Sequence, residues 1–101
     1  MRMLLKVKLP LDKFNAATRD GSIGKKMQQI LADMKPEVAY FTEQEGHRGG
    51  IFIVDVAESS QIPKYAEPWF LQFDAECEFR IVMSPEELGK AGLDALGKKW
   101  A

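Results

Sequence analysis

Apolar and polar residues alternate along four short segments of the chain, as they do in a strand that buries one of its faces. The segments span residues 3–9, 38–42, 51–56 and 77–83. The second and third are separated by the polar, glycine-rich stretch 45–50, so we predict that they form an antiparallel hairpin with this stretch as its turn.

Between the strands, apolar residues recur every three or four positions, the spacing of an amphipathic helix. We predict a first helical layer in two pieces before Pro36, with a bend near Gly21, where a glycine interrupts the pattern. A second helix is predicted over residues 62–73, capped by Ser59 or Ser60.

Two prolines fall in the second predicted helix. Pro63 lies in the first turn, where its missing N–H costs nothing. Pro68 would remove the hydrogen bond to Lys64 at a cost of ~3 kcal/mol, so we predict a break in the helix near Glu67. Trp69 then either packs in the core, as periodicity favours, or turns to the sheet edge.

The segment that follows the last strand begins with a strong helix start. Ser84 supplies a hydroxyl N-cap, proline follows it, and Glu87 is placed to complete a capping box. We expect one short helix and then an irregular tail, because glycines recur beyond it. The prediction is a single domain over residues 1–101, with 84–101 as a C-terminal extension.

The element order β-α-β-β-α-β predicts an α+β fold. Its known form is the ferredoxin-like sandwich, a four-stranded antiparallel sheet with two helices on one face, here with a short C-terminal helix added. Right-handed crossovers place the first and third strands side by side in the centre. No helix remains to cover the other face of the sheet.

Alternation assigns the strand residues to two faces, although the apolar run 51–54 would exchange its faces if the register slipped by one residue. The helix-covered face receives Met3, Leu5, Val7, Phe52, Val54, Val56, Phe79, Ile81 and Met83. The opposite surface, named the open face, receives Leu4, Lys6, Lys8, Tyr40, Thr42, Ile51, Ile53, Asp55, Glu78, Arg80 and Val82. The open face is too apolar for an ordinary solvated surface and too charged for a dry core.

The charged residues of the open face have two interpretations. They could be cross-strand ion pairs, which contribute ~0–1 kcal/mol each when exposed. Alternatively, two such sheets could face each other across a twofold axis and enclose a chamber for a small polar or anionic ligand. The candidate ligand-binding residues are Lys6, Lys8, Tyr40, Asp55, Glu78 and Arg80, with His47 at the hairpin tip and Trp69 as further candidates.

Composition excludes several classes of partner. The net charge of −1 leaves no electrostatic footprint for nucleic acid, and no apolar run approaches the ~20 residues that cross a bilayer. We therefore expect neither nucleic acid nor membrane as a partner. The single cysteine, Cys77, fits a reducing cytoplasm, and its neighbours Glu76 and Glu78 would raise its pKa and suppress a nucleophilic thiolate.

The sequence offers few residues for histidine-based or metal-based chemistry. His47 is the only histidine, and we expect it to be a solvated turn residue. In the rival interpretation, the hairpin tip folds over the mouth of the chamber of its own or the partner subunit, and His47 and Arg48 contact a ligand there. No spacing of acidic, histidine or cysteine residues indicates a metal site, and no motif indicates a cofactor, so we predict neither.

Several long segments resemble a small bacterial family of the dimeric α/β-barrel superfamily. They are RDGSIGKKMQQIL, KPEVAYFTEQEGHRGGIFIVDV, SQIPKYAEPWFLQFDAECEFRIVMSPEEL and AGLDALGKKW. The resemblance implies a ferredoxin-like fold and a homodimer, and it brings no activity with it. The superfamily also contains muconolactone isomerases, cofactor-independent monooxygenases and chlorite-dismutase-like haem proteins, but none of their catalytic motifs matches positions in this chain.

The sequence thus predicts a homodimer that binds a small polar or anionic molecule between its sheets. A second hypothesis is a cofactor-independent isomerase or monooxygenase acting on a small aromatic or carbonyl compound. In that case Lys6, Tyr40, Glu78 or Arg80 would supply acid-base or oxyanion support. A third is a structural assembly unit whose chamber is filled by its own side chains.

Overall fold

A computed structural model describes the whole chain, Met1–Ala101, as an α+β arrangement of four strands and five helices. The strands are β1 (Arg2–Leu9), β2 (Val38–Gln44), β3 (His47–Asp55) and β4 (Glu76–Ile81). The helices are α1 (Leu11–Asp20), α2 (Ile23–Met34), α3 (Ile62–Phe73), α4 (Pro85–Gly89) and α5 (Leu93–Trp100). None of the helices is both long and apolar enough to span a lipid bilayer.

The strands form one open antiparallel sheet in the order β2-β3-β1-β4. The first and third strands are central, as predicted, because each crossover helix returns the chain past a neighbouring strand. This order is compatible with the ferredoxin-like fold. Helices α1, α2 and α3 contribute side chains to a single core on one face of the sheet.

Aromatic rings and aliphatic side chains fill the space between this helical layer and the sheet. Leu5, Val7 and Phe52 are fully buried, and the indole of Trp69 stacks on the Phe52 ring with the centroids 5.3 Å apart. Each fully buried side chain of this size contributes ~1.5–3 kcal/mol relative to exposure. The assignment of Phe52 and Val54 to the covered face is confirmed, and the hairpin register follows it.

The bend predicted near Gly21 is confirmed. Gly21 ends α1 in the left-handed conformation at φ 82°, which glycine adopts without steric cost. The Asp20 carboxylate accepts a hydrogen bond from the Ser22 amide at 2.8 Å, and α2 begins immediately afterwards. The two pieces therefore lie in one layer with a fixed corner between them.

The predicted break near Glu67 is wrong, because α3 is continuous through Pro68. Lys64, whose carbonyl loses its helical partner at Pro68, lies on the exposed side of the helix, where water can replace the missing donor. The residues around the proline hold the helix in place: Tyr65 and Trp69 are buried in the core. Burial of these rings offsets the lost hydrogen bond.

The start of α3 also differs from the prediction, since neither Ser59 nor Ser60 caps it. A short 3₁₀ turn precedes the helix. The side-chain oxygen of Gln61 accepts hydrogen bonds from the amides of Ala57 and Glu58 at 3.1 and 3.4 Å. Gln61 thus closes the 3₁₀ turn, and as the N-cap residue of α3 it makes no side-chain hydrogen bond to the first turn of the helix.

The hairpin turn is shorter than predicted. It contains only Glu45 and Gly46, both with positive φ, the conformation that matches the twist of the flanking strands. β3 therefore begins at His47, and the two glycines that looked like turn residues lie inside the strand. A Cβ atom on Gly50 would come within 2.6 Å of the Phe52 ring, and one on Gly49 within 2.7 Å of the Gln44 side chain.

Two residues assigned to the covered face are not covered. Ile81 and Met83 are 65% and 60% exposed. Ile81 is the last residue of the edge strand β4, and Met83 follows it on the way out of the sheet, so no helix lies above them. Alternation assigned Leu5 and Val7 to the covered face correctly, but it cannot predict how far along a strand the helical layer extends.

The C-terminal arm, residues 84–101, is more regular than predicted. It contains the capped helix α4 and then a second helix, α5, where an irregular tail was expected. Every residue from Pro85 to Ala101 is exposed, so the arm buries none of its residues against its own chain. The arm makes the molecule elongated, with principal extents of 60 × 28 × 20 Å.

Candidate functional site

The open face is a lattice of side chains whose neighbours are fixed by strand register. One row runs Val38, Ile53, Leu4 and Arg80 from β2 to β4; the next runs Tyr40, Ile51, Lys6 and Glu78; the third runs Thr42, Gly49, Lys8 and Glu76. The predicted open-face residues of all four strands are therefore brought together on one surface. Asp55 and Arg2 form the central pair of a further row at the far end.

Exposure across the open face falls from the edges to the centre. Leu4, Ile51 and Ile53 on the two central strands are half-buried although no helix covers them. They form an apolar block, named here the central block. Tyr40 on the edge strand β2 is 69% exposed. An apolar centre with exposed aromatic and charged edges resembles the apolar core and polar rim of protein interfaces.

Lys8 has the ion pairs that the first interpretation predicted, although not with the expected partners. Its ammonium lies 3.1 Å from the Glu45 carboxylate of the hairpin turn and 3.8 Å from that of Glu76 on β4. The hydrogen bond to Glu45 raises the pKa of Lys8. The charge of Lys8 is therefore neutralised within the chain.

Lys6 is different, because none of the ion pairs of the structure includes it. Its register neighbours are Ile51 on one side and Glu78 on the other. The Glu78 carboxylate instead lies 3.7 Å from the guanidinium of Arg80, two residues along the same strand. Lys6 is thus a half-buried cation beside the central block without an acidic partner.

The far end of the face is also internally neutralised. Asp55 lies 3.1 Å from the N-terminal amine of Met1. Arg2, which opposes Asp55 in the register, donates to Glu37 at 3.1 Å and to Glu87 of the C-terminal arm at 3.2 Å. Asp55 is therefore a member of a charged rim, away from Lys6.

His47 and Arg48 lie on different faces, which separates the pair that was expected to act together. His47 shares the open face with Gln44, its register partner, and its Nδ1 is 3.1 Å from the Glu45 carbonyl. Arg48 points to the covered side, where it donates to Asn15 at 2.7 Å and lies 4.4 Å above the Phe14 ring. Arg48 is thus excluded from a site on the open face.

Trp69 and Cys77 both belong to the covered side. Trp69 is fully buried and donates its indole N–H to the Met34 sulfur at 3.3 Å, so it does not reach the sheet edge. Burial raises the pKa of the Cys77 thiol to about 12, which removes it as a nucleophile at neutral pH. The predicted direction is correct, but burial causes it, since Glu76 and Glu78 project to the other face.

The sequence-based assignment missed several residues of this surface, including Val38 and Gly49. Glu45 and Glu76 neutralise Lys8, and Gln44 extends the open face by one position beyond the predicted strand. The side-chain nitrogen of Gln44 is buried without a hydrogen-bond partner. The continued alternation of Thr42 and Gln44 was the signal that could have found it.

A groove between two helices lies elsewhere on the chain. It has a volume of about 720 Å³ and runs between α2 and α3, with polar and charged residues such as Lys26, Asp33 and Glu67 on its walls. This groove is a furrow between two helices with mixed charge. The open face is an uncovered surface, and it becomes a chamber only when a second layer is placed over it.

Comparisons with known proteins add no functional assignment. No protein-family model matches the sequence, and no curated protein is significantly similar to it. Within the chain, no group of three or more His, Cys, Asp or Glu side chains is arranged to hold a metal ion. The geometry of the open face is therefore the basis for an inference about function.

Proposed function

We propose that two copies of the chain pack through their open faces, as in dimeric α/β-barrel proteins, and that the chamber between the sheets binds a small polar or anionic molecule. The observation that carries the proposal is Lys6, a half-buried cation without an acidic partner beside an apolar block on an otherwise uncovered sheet face.

The need for a cover follows from the central block. A sheet buries both faces when it lies between two layers, and here the helices supply only one. A second copy can supply the other, because a twofold axis brings the same apolar surface onto itself. The paired charges at Lys8 and at Arg2 lie at opposite ends of the face, where they would form the polar rim of such an interface.

The need for an anion follows from the same closure. Covering the sheet removes water from Lys6, and an unpaired ammonium in a dry environment is costly. The twofold axis also brings a second Lys6 into the chamber, which adds repulsion between like charges. A bound carboxylate or phosphate would satisfy both cations.

The cover is tested by measuring the oligomeric state of Ile51→Glu by sedimentation velocity. A carboxylate in the central block should weaken self-association at least tenfold while the monomer stays folded by circular dichroism. Leu71→Glu is the matched control, because Leu71 is 70% exposed on α3 and lies outside the open face. If the wild-type chain remains a monomer over a 100-fold range of concentration, the proposed homodimer is wrong.

The ligand is tested by thermal unfolding with benzoate and inorganic phosphate as probes. A probe at 100 times its dissociation constant should stabilise the wild-type protein by ~2.7 kcal/mol. Lys6→Met should abolish this stabilisation, whereas Lys25→Met on the exposed surface of α2 should retain it. If neither probe stabilises the wild-type dimer, the anion site fails and the structural assembly unit becomes the favoured hypothesis.

A further inference from the structure

The C-terminal arm carries an apolar stripe with no partner in its own chain. Leu93, Leu96 and Trp100 are spaced by three and four residues, which places them on one face of α5. All are exposed, Trp100 to 76%, and Leu88 on α4 adds a further exposed apolar side chain. Isolated helices as short as α5 are marginal in water, so packing of this stripe is the expected source of its stability.

The amount of exposed surface indicates that a large interface is missing. The chain exposes 7084 Å², whereas a compact monomer of 11.4 kDa is expected to expose about 5,800 Å². The radius of gyration is 17.2 Å, against about 13 Å for a compact chain of this length. The surplus exceeds the ~800 Å² that each partner buries in a standard protein interface.

The arm leaves the domain in a fixed place, at one end of the open face. The Val82 amide donates to the Arg2 carbonyl at 3.3 Å, and the Arg2 guanidinium holds Glu87 at 3.2 Å. Ser84 and Glu87 form a reciprocal capping box at the base of α4. The arm is therefore anchored beside the surface that the proposed dimer buries and is continuous with it.

We propose that the C-terminal arm packs against a second copy of the chain, so that the two arms of a homodimer are exchanged. The occupant is a second copy because the arm begins at the rim of the face that a second copy covers, and because the surplus area is large enough for one side of a stable interface. This inference rests on the proposed homodimer. The apolar stripe of each α5 then becomes part of the interface in addition to the central block.

The protein contains its own probe for this contact. Trp69 is fully buried in the core, so the fraction of fluorescence that acrylamide quenches reports Trp100. We expect this fraction to fall as the concentration rises through the dimer dissociation constant, with Trp100→Phe as the control that removes the change. Quenching that stays full in a dimer overturns the exchanged arm and leaves the homodimer intact. Protection that is already complete in the monomer places the arm on its own chain and also overturns the inference.

A pair of variants tests the same contact through affinity. Leu93→Ala combined with Leu96→Ala keeps the helix propensity of α5 and removes two members of the stripe. The dimer dissociation constant should therefore rise at least tenfold. Lys98→Ala, on the opposite face of α5, should leave the dissociation constant unchanged. An unchanged constant in the double variant overturns the exchanged arm, whereas a wild-type monomer at all concentrations overturns the homodimer itself.

Discussion

The two faces of the central sheet are built from the same strands and differ in what covers them. On the helix side, Leu5, Val7 and Phe52 are fully buried, and none of the buried residues is charged. On the open side, one residue along the same strands, Leu4 and Lys6 are only half-buried. The two faces share one backbone. They differ in their side chains and in the helical layer, which covers only one of them.

The largest difference in unfolding free energy should appear between alanine variants of two aromatic residues, one on each face of the sheet. Trp69→Ala removes the ring that stacks on Phe52 and should cost ~3–5 kcal/mol of unfolding free energy. Tyr40→Ala removes a ring that is 69% exposed and should cost less than ~1 kcal/mol at a concentration where the chain is monomeric. Urea unfolding of both variants at matched concentration measures the contrast.

The concentration dependence of the second variant sharpens the comparison. If a second copy covers the open face, the cost of Tyr40→Ala should grow when the protein is concentrated enough to associate. A Tyr40→Ala cost equal to that of Trp69→Ala in the monomer would mean that the edge of the open face is already part of the core.

The alternation of residues was enough to predict these two faces, because a strand has a strict period of two. Leu5 and Lys6 were assigned correctly on that basis, whereas the run 51–54 is apolar on both faces and its orientation was a choice that the register then confirmed. The central position of β1 and β3 followed from the handedness of crossovers. The hairpin turn was placed wrongly because glycines signal turns in general. Inside β3, Gly50 is required instead by the ring of Phe52, a contact that appears only after folding.

The pairing of the charges could not be predicted from the sequence for a related reason. Lys8 pairs with Glu45 only because the turn is two residues long and brings that carboxylate back over β1. A longer turn would have placed Glu45 elsewhere. The isolation of Lys6 is likewise a consequence of Glu78 leaning toward Arg80, which is a choice between rotamers and not a property of spacing.

Two adjacent glycines provide the second test of the two faces. Gly50→Ala would place a methyl group against the Phe52 ring, which Trp69 holds from the other side, so it should cost ~1–3 kcal/mol. Gly49→Ala meets the side chain of Gln44 on the open face, which can rotate toward solvent, and it should cost less. Equal unfolding free energies for the two variants would show that the open face is as tightly packed as the core.

A third and smaller effect should appear with pH where the C-terminal arm meets the open face. Hydrogen bonds from Ser84 hold the pKa of Glu87 below its usual value. A lowered folded-state pKa gives stabilisation that is present at neutral pH and lost as the pH falls through that value. The amide resonance of Ser84 should therefore shift, and its protection from exchange should decrease, below about pH 4.5.

Glu87→Gln separates titration from hydrogen bonding at this position. The amide oxygen can still accept from the Ser84 N–H, but it carries no titrating carboxyl group. The pH dependence of the Ser84 resonance should disappear in this variant. If the resonance still moved over the same range, another carboxylate near the base of the arm would be responsible.

The smallest expected effect is a difference in salt-dependent stability between variants of the two open-face lysines, Lys8 and Lys6. Lys8→Met loses contacts with Glu45 and Glu76 and should lower the melting temperature slightly at low ionic strength, because exposed ion pairs stabilise weakly. At ~1 M salt, where screening acts within ~3 Å, the difference from wild type should vanish. Lys6→Met should show no such salt-dependent loss in the monomer, since Lys6 has no pair to lose. A salt-dependent loss in Lys6→Met as large as that in Lys8→Met would mean that Lys6 is paired in solution, and the argument for an anion in the chamber would then fail.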